Sequence, residues 1–267
     1  MSDGPLAGGL VIALRPDVPA ARAIFDQVVA AAWTSRDDLV GVQGARVGSG
    51  RTDGEFWSAG EWFVKTRGTR RFAHAAEAIA AADRMLALKR QLGELTLVKT
   101  VFAVVATGDA PRVWTIAPTV ITLRERLDEA AAGANWREFG RALTAFANAL
   151  GEALSCSIDH GLGLDANPAN FAIQGARLRY LDDDVAATTT ALGLEDAFVA
   201  RFAEYPTAPP EIWDLFVQRA ADEIGARAPR ALRAQLGLAG RLTAAATLRR
   251  AAPPHAARLC GLLEARA

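Results

Sequence analysis

The sequence predicts an α+β chain in two parts: a small antiparallel sheet crossed by one helix, then a mainly helical region. Three observations carry that expectation. Short β-branched and aromatic runs broken by glycine turns fill residues 39–67 and 95–116, with one long helical pattern between them. After Pro118 the apolar residues recur at helical spacing, as in Phe139, Leu143, Phe146, Leu150 and Leu154. Between the two patterns, residues 116–120 hold a proline, which fixes φ and removes a backbone donor, so a connection between the parts belongs there. The expected division is residues 1–117 and residues 118–267.

In the first part, Leu10 to Leu14 reads as a short strand that ends at Pro16. Residues 20–33 read as an extra helix with Ile24, Val28 and Ala31 on one face and Pro19 near its start. Its ordinary role is packing; a regulatory or dimerising role stays open. The run Val47-Gly48-Ser49-Gly50-Arg51-Thr52-Asp53-Gly54 precedes Phe56-Trp57, a turn at Ala59-Gly60, and a strand Glu61-Trp62-Phe63-Val64-Lys65. Glycines let backbone N–H groups approach phosphate oxygens with no Cβ in the way, although a plain hairpin explains the run equally well. A lysine at a strand end is usually a solvated edge charge. Lys65 differs in following Trp62-Phe63-Val64, which suggests burial.

Residues 70–92 read as an alanine-rich helix with a broken apolar face of Phe72, Ile79, Met85, Leu86 and Leu88. Glu77 is the only glutamate in that span, and His74 reads as structural or exposed. Residues 95–105 and 112–116 read as two strands joined by the turn Gly108-Asp109-Ala110-Pro111. In the second part, Thr122 opens a short helix that ends near Gly133, and Asn135 caps a long core helix. Further helices are expected around residues 194–202, 211–224, 231–236 and 254–264, punctuated by Pro206, Pro209, Pro210, Pro229, Pro253 and Pro254.

Composition excludes several classes. Lys+Arg and Asp+Glu balance at 30 each over 267 residues, so bulk charge offers nothing to nucleic acid or an anionic membrane. Cys156 and Cys260 have no paired spacing, so neither a disulfide framework nor a cysteine zinc site is expected. The start lacks a basic region followed by an apolar run, and no apolar stretch reaches about 18 residues, so neither a signal peptide nor a membrane span is expected. A cytoplasmic protein is the default expectation.

The chemistry concentrates in residues 161–186. Asp165-Ala166-Asn167-Pro168-Ala169-Asn170 is a proline-containing loop. Phe171-Ala172-Ile173 reads as a strand, Gly175 as a turn, and Leu178-Arg179-Tyr180-Leu181 as a second strand ending on Asp182-Asp183-Asp184. An Asp and an Asn at one mouth of a hairpin and an Asp at the other can converge hard oxygen ligands on Mg²⁺, with the leading Asp left to handle a proton. Phosphoryl transfer needs that set: a base, and oxygen ligands for metal. The bland alternative is a surface hairpin with an Asx-rich turn.

This stretch resembles the catalytic and metal loops of the protein-kinase-like superfamily, closest to its small-molecule branch, the aminoglycoside and choline kinase-like phosphotransferases. The family pattern is D-x-x-P-x-N, two short strands, then a hydrophobic residue and an Asp. Asp165, Pro168, Asn170, Leu181 and Asp182 match it. The ordered motifs cover about residues 44–186. The resemblance implies a two-lobed fold and a phosphotransferase that uses ATP and Mg²⁺ on a hydroxyl of a small molecule. Asp165 would be the base, and Asn167 would face the γ-phosphate. Asn170 and Asp182 would hold metal, with Asp184 a further contact. Gly48, Ser49 and Gly50 would cover the phosphates, Lys65 would contact the α- and β-phosphates, and Ala117 would lie in the segment that meets the adenine edge. Glu77 would pair with Lys65, 12 residues before it, a shorter spacing than the family usually shows.

The departures are equally specific. The family has a His two residues before the catalytic Asp, which mainly supports the loop backbone; here that residue is Gly163. Two residues after the Asp, where protein kinases have Lys and aminoglycoside kinases His, stands the uncharged Asn167. Two other classes stay open: a pseudokinase that binds nucleotide without catalysis, and a helical interaction protein in which these motifs are only turns.

Overall fold

In the first of two units, Leu10–Arg15 (β1), Trp33–Ser35 (β2), Gly54–Ala59 (β3), Trp62–Arg67 (β4), Val101–Thr107 (β5) and Ala110–Pro118 (β6) form one antiparallel sheet. Its strand order is β1-β5-β6-β4-β3-β2. The computed structural model describes residues 4–36, 54–97, 99–108, 110–183, 185–187, 193–229, 233, 237–249 and 253–265. The units are Met1–Thr119 and Val120–Ala267.

The interior strand β5 is apolar without alternation because helices cover both faces of the sheet. Pro19–Ala30 (α1) lays Phe25 and Val28 against Val101, Ala103, Val105, Trp114 and Ile116. Ala75–Gln91 (α2) lays Ala78 and Ala82 against Phe102, Val104 and Val113 on the opposite face. Each large apolar side chain buried this way stabilises by about 1.5–3 kcal/mol relative to exposure. The three-residue edge strand β2 limits the exposed ladder.

Three sequence expectations shift here. The first helix stops at Ala30, where Ala31 turns extended (φ −77°, ψ 163°), and Trp33 begins β2 instead of ending the helix. The strand expected over residues 95–105 begins only at Val101. Gly93–Leu95 forms a 3-10 turn, and Lys99 takes a left-handed conformation (φ 67°) that no strand accommodates. The helix expected over residues 70–92 begins at Ala75, because Gly68–Arg70 forms a 3-10 turn and the next residues stay on the sheet. Arg71 bridges to Arg112, and the Phe72 N–H donates to Pro111 O at 2.9 Å.

The second unit contains Leu123–Ala132 (α3), Trp136–His160 (α4), Leu162–Gly163 (β7), Phe171–Gln174 (β8), Arg177–Tyr180 (β9), Ala186–Ala187 (β10), Leu194–Glu204 (α5), Pro210–Arg227 (α6), Leu238–Arg249 (α7) and Pro253–Ala265 (α8). Thr122 and Glu125 close a reciprocal capping box on α3, and Asn135 Oδ1 accepts the Glu138 N–H at the start of α4. The stripe Phe139, Leu143, Phe146, Leu150 and Leu154 is buried. Phe146 stacks on Phe216 of α6 at 5.9 Å between ring centroids, and Phe139 meets Trp213 edge-on at 5.8 Å. A Cβ on Gly151 of α4 would stand 2.9 Å from Nη1 of Arg227 on α6, so a side chain there would make the guanidinium that reaches Glu152 at 2.7 Å shift. The sequence reading did not anticipate α7, and residues 231–236 lie, apart from Arg233, outside the described residues. No helix among the described residues is long and apolar enough to cross a membrane.

Candidate functional site

The core helix α4 ends where Gly161 adopts a left-handed conformation (φ 63°, ψ 29°) and returns its N–H to Ser157 O at 3.2 Å. The chain then runs through β7, which pairs antiparallel with β10, Gly163 opposite Ala186. Between those partners lies the loop with its hairpin. The hairpin pairs Phe171 with Tyr180 and Gln174 with Arg177, and Gly175 (φ 64°) makes the tight turn.

Side chains and backbone of the loop hold each other. The Asn167 N–H donates to Asp165 Oδ1 at 3.1 Å, and the Ala169 N–H to Asn167 Oδ1 at 3.1 Å, so two successive Asx bonds shape the chain before and through Pro168–Asn170. Asn170 Nδ2 donates to Asp165 O at 3.3 Å, and the Leu181 N–H donates to Asn170 O at 2.8 Å. The structure therefore gathers Asp165, Asn167 and Asn170 in one loop and brings the residue before Asp182 onto Asn170. With its amide nitrogen turned to Asp165, Asn170 presents Oδ1 away from that bond. Asp182 is buried, and its Oδ1 accepts the Asp183 N–H at 2.9 Å. Asp165 is exposed.

An amide oxygen and a carboxylate are hard donors that suit Mg²⁺, which keeps water and phosphate oxygens for its other positions. No group of three His, Cys, Asp or Glu side chains that could hold a metal occurs among the described residues. Asp184 lies outside the described residues.

Tyr180 completes the loop. Its hydroxyl accepts the Asp165 N–H at 3.1 Å, and its ring meets Phe171 edge-on at 5.1 Å. Burial pushes this phenol well above its ordinary range, and the negative charges of Asp182 and Asp165 push it further, so it is protonated at neutral pH.

In the first unit, Lys65 stands on β4 opposite Phe56 and Thr115 and is only 7% exposed. By strand alternation it shares a face with Phe63, Arg67 and, across on β6, Val113 and Thr115, the face that carries α2. Arg70 reaches the same place, its Nη1 donating to Thr115 Oγ1 at 3.0 Å. Ala117 is buried on β6 opposite Phe63. Glu77 is exposed in the first turn of α2. Gly48, Ser49 and Gly50 lie outside the described residues.

Sequence reasoning read Tyr180 only as a strand residue and gave no role to Arg67, Arg70 or Asp183, all buried. For Arg67 a signal existed: it stands two residues after Lys65, hence on the same face of a strand read as buried. Tyr180 carried none, since its bond to Asp165 crosses the hairpin.

No protein-family model matches the chain, and no curated protein and no solved structure is similar to it.

Proposed function

We propose that the chain is an ATP- and Mg²⁺-dependent phosphotransferase with a protein-kinase-like two-lobed fold, moving the γ-phosphate to a hydroxyl of a small molecule. The observation that supports this most is the closed loop in which Asn170 bonds Asp165 through its side chain and Leu181, beside Asp182, through its carbonyl. One short segment thereby presents an exposed carboxylate for a proton and two oxygen donors for a cation. In this reading Asp165 orients and deprotonates the acceptor hydroxyl, and Asn170 and Asp182 hold Mg²⁺. Asn167 offers its amide hydrogens to a phosphoryl oxygen while its Oδ1 caps the turn. Lys65 grips the α- and β-phosphates. Gly163 and the uncharged Asn167 favour one second reading, a nucleotide-binding module without catalysis.

A melting scan with ATP or ADP, with and without Mg²⁺, tests both. Ligand at a hundred times its Kd should stabilise by about 2.7 kcal/mol, and for the phosphotransferase the shift should require Mg²⁺. Asp182→Asn should abolish the metal-dependent part and leave the apo melting temperature in place. An apo temperature that drops by many degrees with the nucleotide response intact would make Asp182 a structural turn residue. A shift independent of Mg²⁺ and without turnover supports the second reading, and no shift at all overturns both.

A further inference from the structure

We infer that Tyr180 is a positioning residue for Asp165: its hydroxyl fixes the backbone from which the Asp165 carboxylate projects and ties that backbone to the strand leading into Asp182. The inference rests on the phosphotransferase reading for its consequence in turnover, but its geometry stands on the loop alone.

Both peptide groups of Asp165 are held, one from the hairpin and one from the 3-10 turn of its own loop. Its N–H donates to Tyr180 Oη at 3.1 Å, and its C=O accepts from Asn170 Nδ2 at 3.3 Å. The two holders are themselves joined, because Leu181, covalently next to Tyr180, donates its N–H to Asn170 O at 2.8 Å. The ring of bonds is closed: Asp165 to Tyr180, along the chain to Leu181, across to Asn170, and back to Asp165. An exposed carboxylate on a loop would otherwise swing with its backbone, and an error of about 1 Å in placing a reacting group can cost about a hundredfold in rate.

Gly163, two residues before Asp165, has no side chain to brace the loop, and the bracing oxygen comes from β9. Tyr180 is 0% exposed, its position set by Phe171 directly across the hairpin, so ring packing fixes the oxygen as well. The phenol oxygen accepts the backbone amide and can still donate its own proton.

Tyr180→Phe removes the hydroxyl and keeps the ring. Amide hydrogen exchange read at Asp165 in the nucleotide-free protein should quicken by about tenfold or more, with β8 and α4 amides unchanged. Unchanged exchange at Asp165 overturns the inference. In a Mg²⁺–ATP turnover assay with water as the probe acceptor, kcat should fall about ten- to hundredfold while KM for ATP stays within about twofold. An unaltered kcat, or a loss carried in KM, also overturns it. Tyr180→Leu, which removes the ring as well, serves as the packing control and should lower the melting temperature where Phe does not. If Phe lowers it as much as Leu and exchange quickens throughout the unit, Tyr180 is merely a core residue and the inference fails. A wild-type protein that gives no Mg²⁺–nucleotide shift sinks the phosphotransferase reading instead, and the exchange result then decides by itself whether Tyr180 holds the loop.

Discussion

The loop around Asp165 and the strand around Lys65 are held by bonds of very different reach. In the loop, bonded partners stand 2, 5 and 15 residues apart: Asn167 on Asp165, Asn170 on Asp165, and Asp165 on Tyr180. Beside Lys65, Thr66 Oγ1 bonds Val113 O across 47 residues and Arg70 bonds Thr115 across 45. Bonds at short offsets close small rings at low entropic cost and depend on residue type at fixed spacing. Bonds at long offsets exist only once sheet and helix have packed. The loop should therefore keep its shape through changes elsewhere in the chain, whereas the surroundings of Lys65 follow from where β6 and α2 come to rest.

Asp165→Ala is the strongest way to break this comparison. Turnover should fall about a hundred- to ten-thousandfold, the range for a lost general base, with nucleotide affinity nearly unchanged in a Mg²⁺–ATP titration. The substitution removes the carboxylate that accepts the Asn167 N–H, but the backbone bonds to Tyr180 and Asn170 survive, so the loop should keep most of its form. If affinity collapses along with turnover, the loop is not the self-supporting element described above. Lys65→Ala comes next. Removing a charge-assisted contact to phosphate should weaken nucleotide binding about tenfold to a hundredfold, measured by calorimetry. Affinity equal to that of the wild type would remove Lys65 from the phosphates.

The same difference in reach governs how much the residues disclosed on their own. Thr122 and Asn135 announced their helices by capping chemistry that acts within three residues, and both caps are present. The hairpin from Phe171 to Tyr180 was legible because Gly175 and the flanking apolar runs act locally. The late start of α2 was not legible. It is imposed by Arg71 and Phe72 pairing with Arg112 and Pro111, partners that no pattern within residues 70–92 names. The alanine-rich composition there permits a helix from residue 70, and the sheet overrules it. The burial of Arg70 and Asp183 is likewise a product of packing. Helix α7 was missed because Leu238–Arg249 carries a weakly periodic mix of alanine, threonine and arginine with no cap residue to mark its start.

Asn167 offers a finer test, since it holds two roles at once in a single side chain. Its Oδ1 caps the turn at Ala169, and its amide hydrogens are the proposed phosphoryl contact. Serine keeps an oxygen able to cap and loses the amide. Asn167→Ser should hold the melting temperature within about 0.5 kcal/mol of stability and slow transfer about fivefold, the worth of one neutral hydrogen bond. Stability lost with transfer intact would leave the residue only its local role.

The smallest expected effect sharpens the comparison most, because it falls where the resemblance is most strained. Glu77 stands in the first turn of α2, exposed, on a helix whose buried stripe is Ala78, Ala82 and Lys89. A carboxylate there faces the positive end of the helix dipole, which is worth about 0.3–1 kcal/mol at most exposed sites. Glu77→Gln should therefore cost no more than that in thermal unfolding and leave Mg²⁺–ATP affinity unchanged. If Glu77 instead directs Lys65 once nucleotide is bound, the substitution should cost affinity on a scale comparable with Lys65→Ala. The double variant Lys65→Ala/Glu77→Gln distinguishes the cases, since groups that act on one another give non-additive losses and distant ones add. Additive effects keep α2 as it stands, starting at Ala75 with Glu77 in solvent. A shared loss would require α2 to gain a turn toward residue 70 on binding nucleotide, releasing Phe72 from Pro111. The Phe72 amide then exchanges faster in the complex than in the free protein, a readout that depends on no assay of transfer.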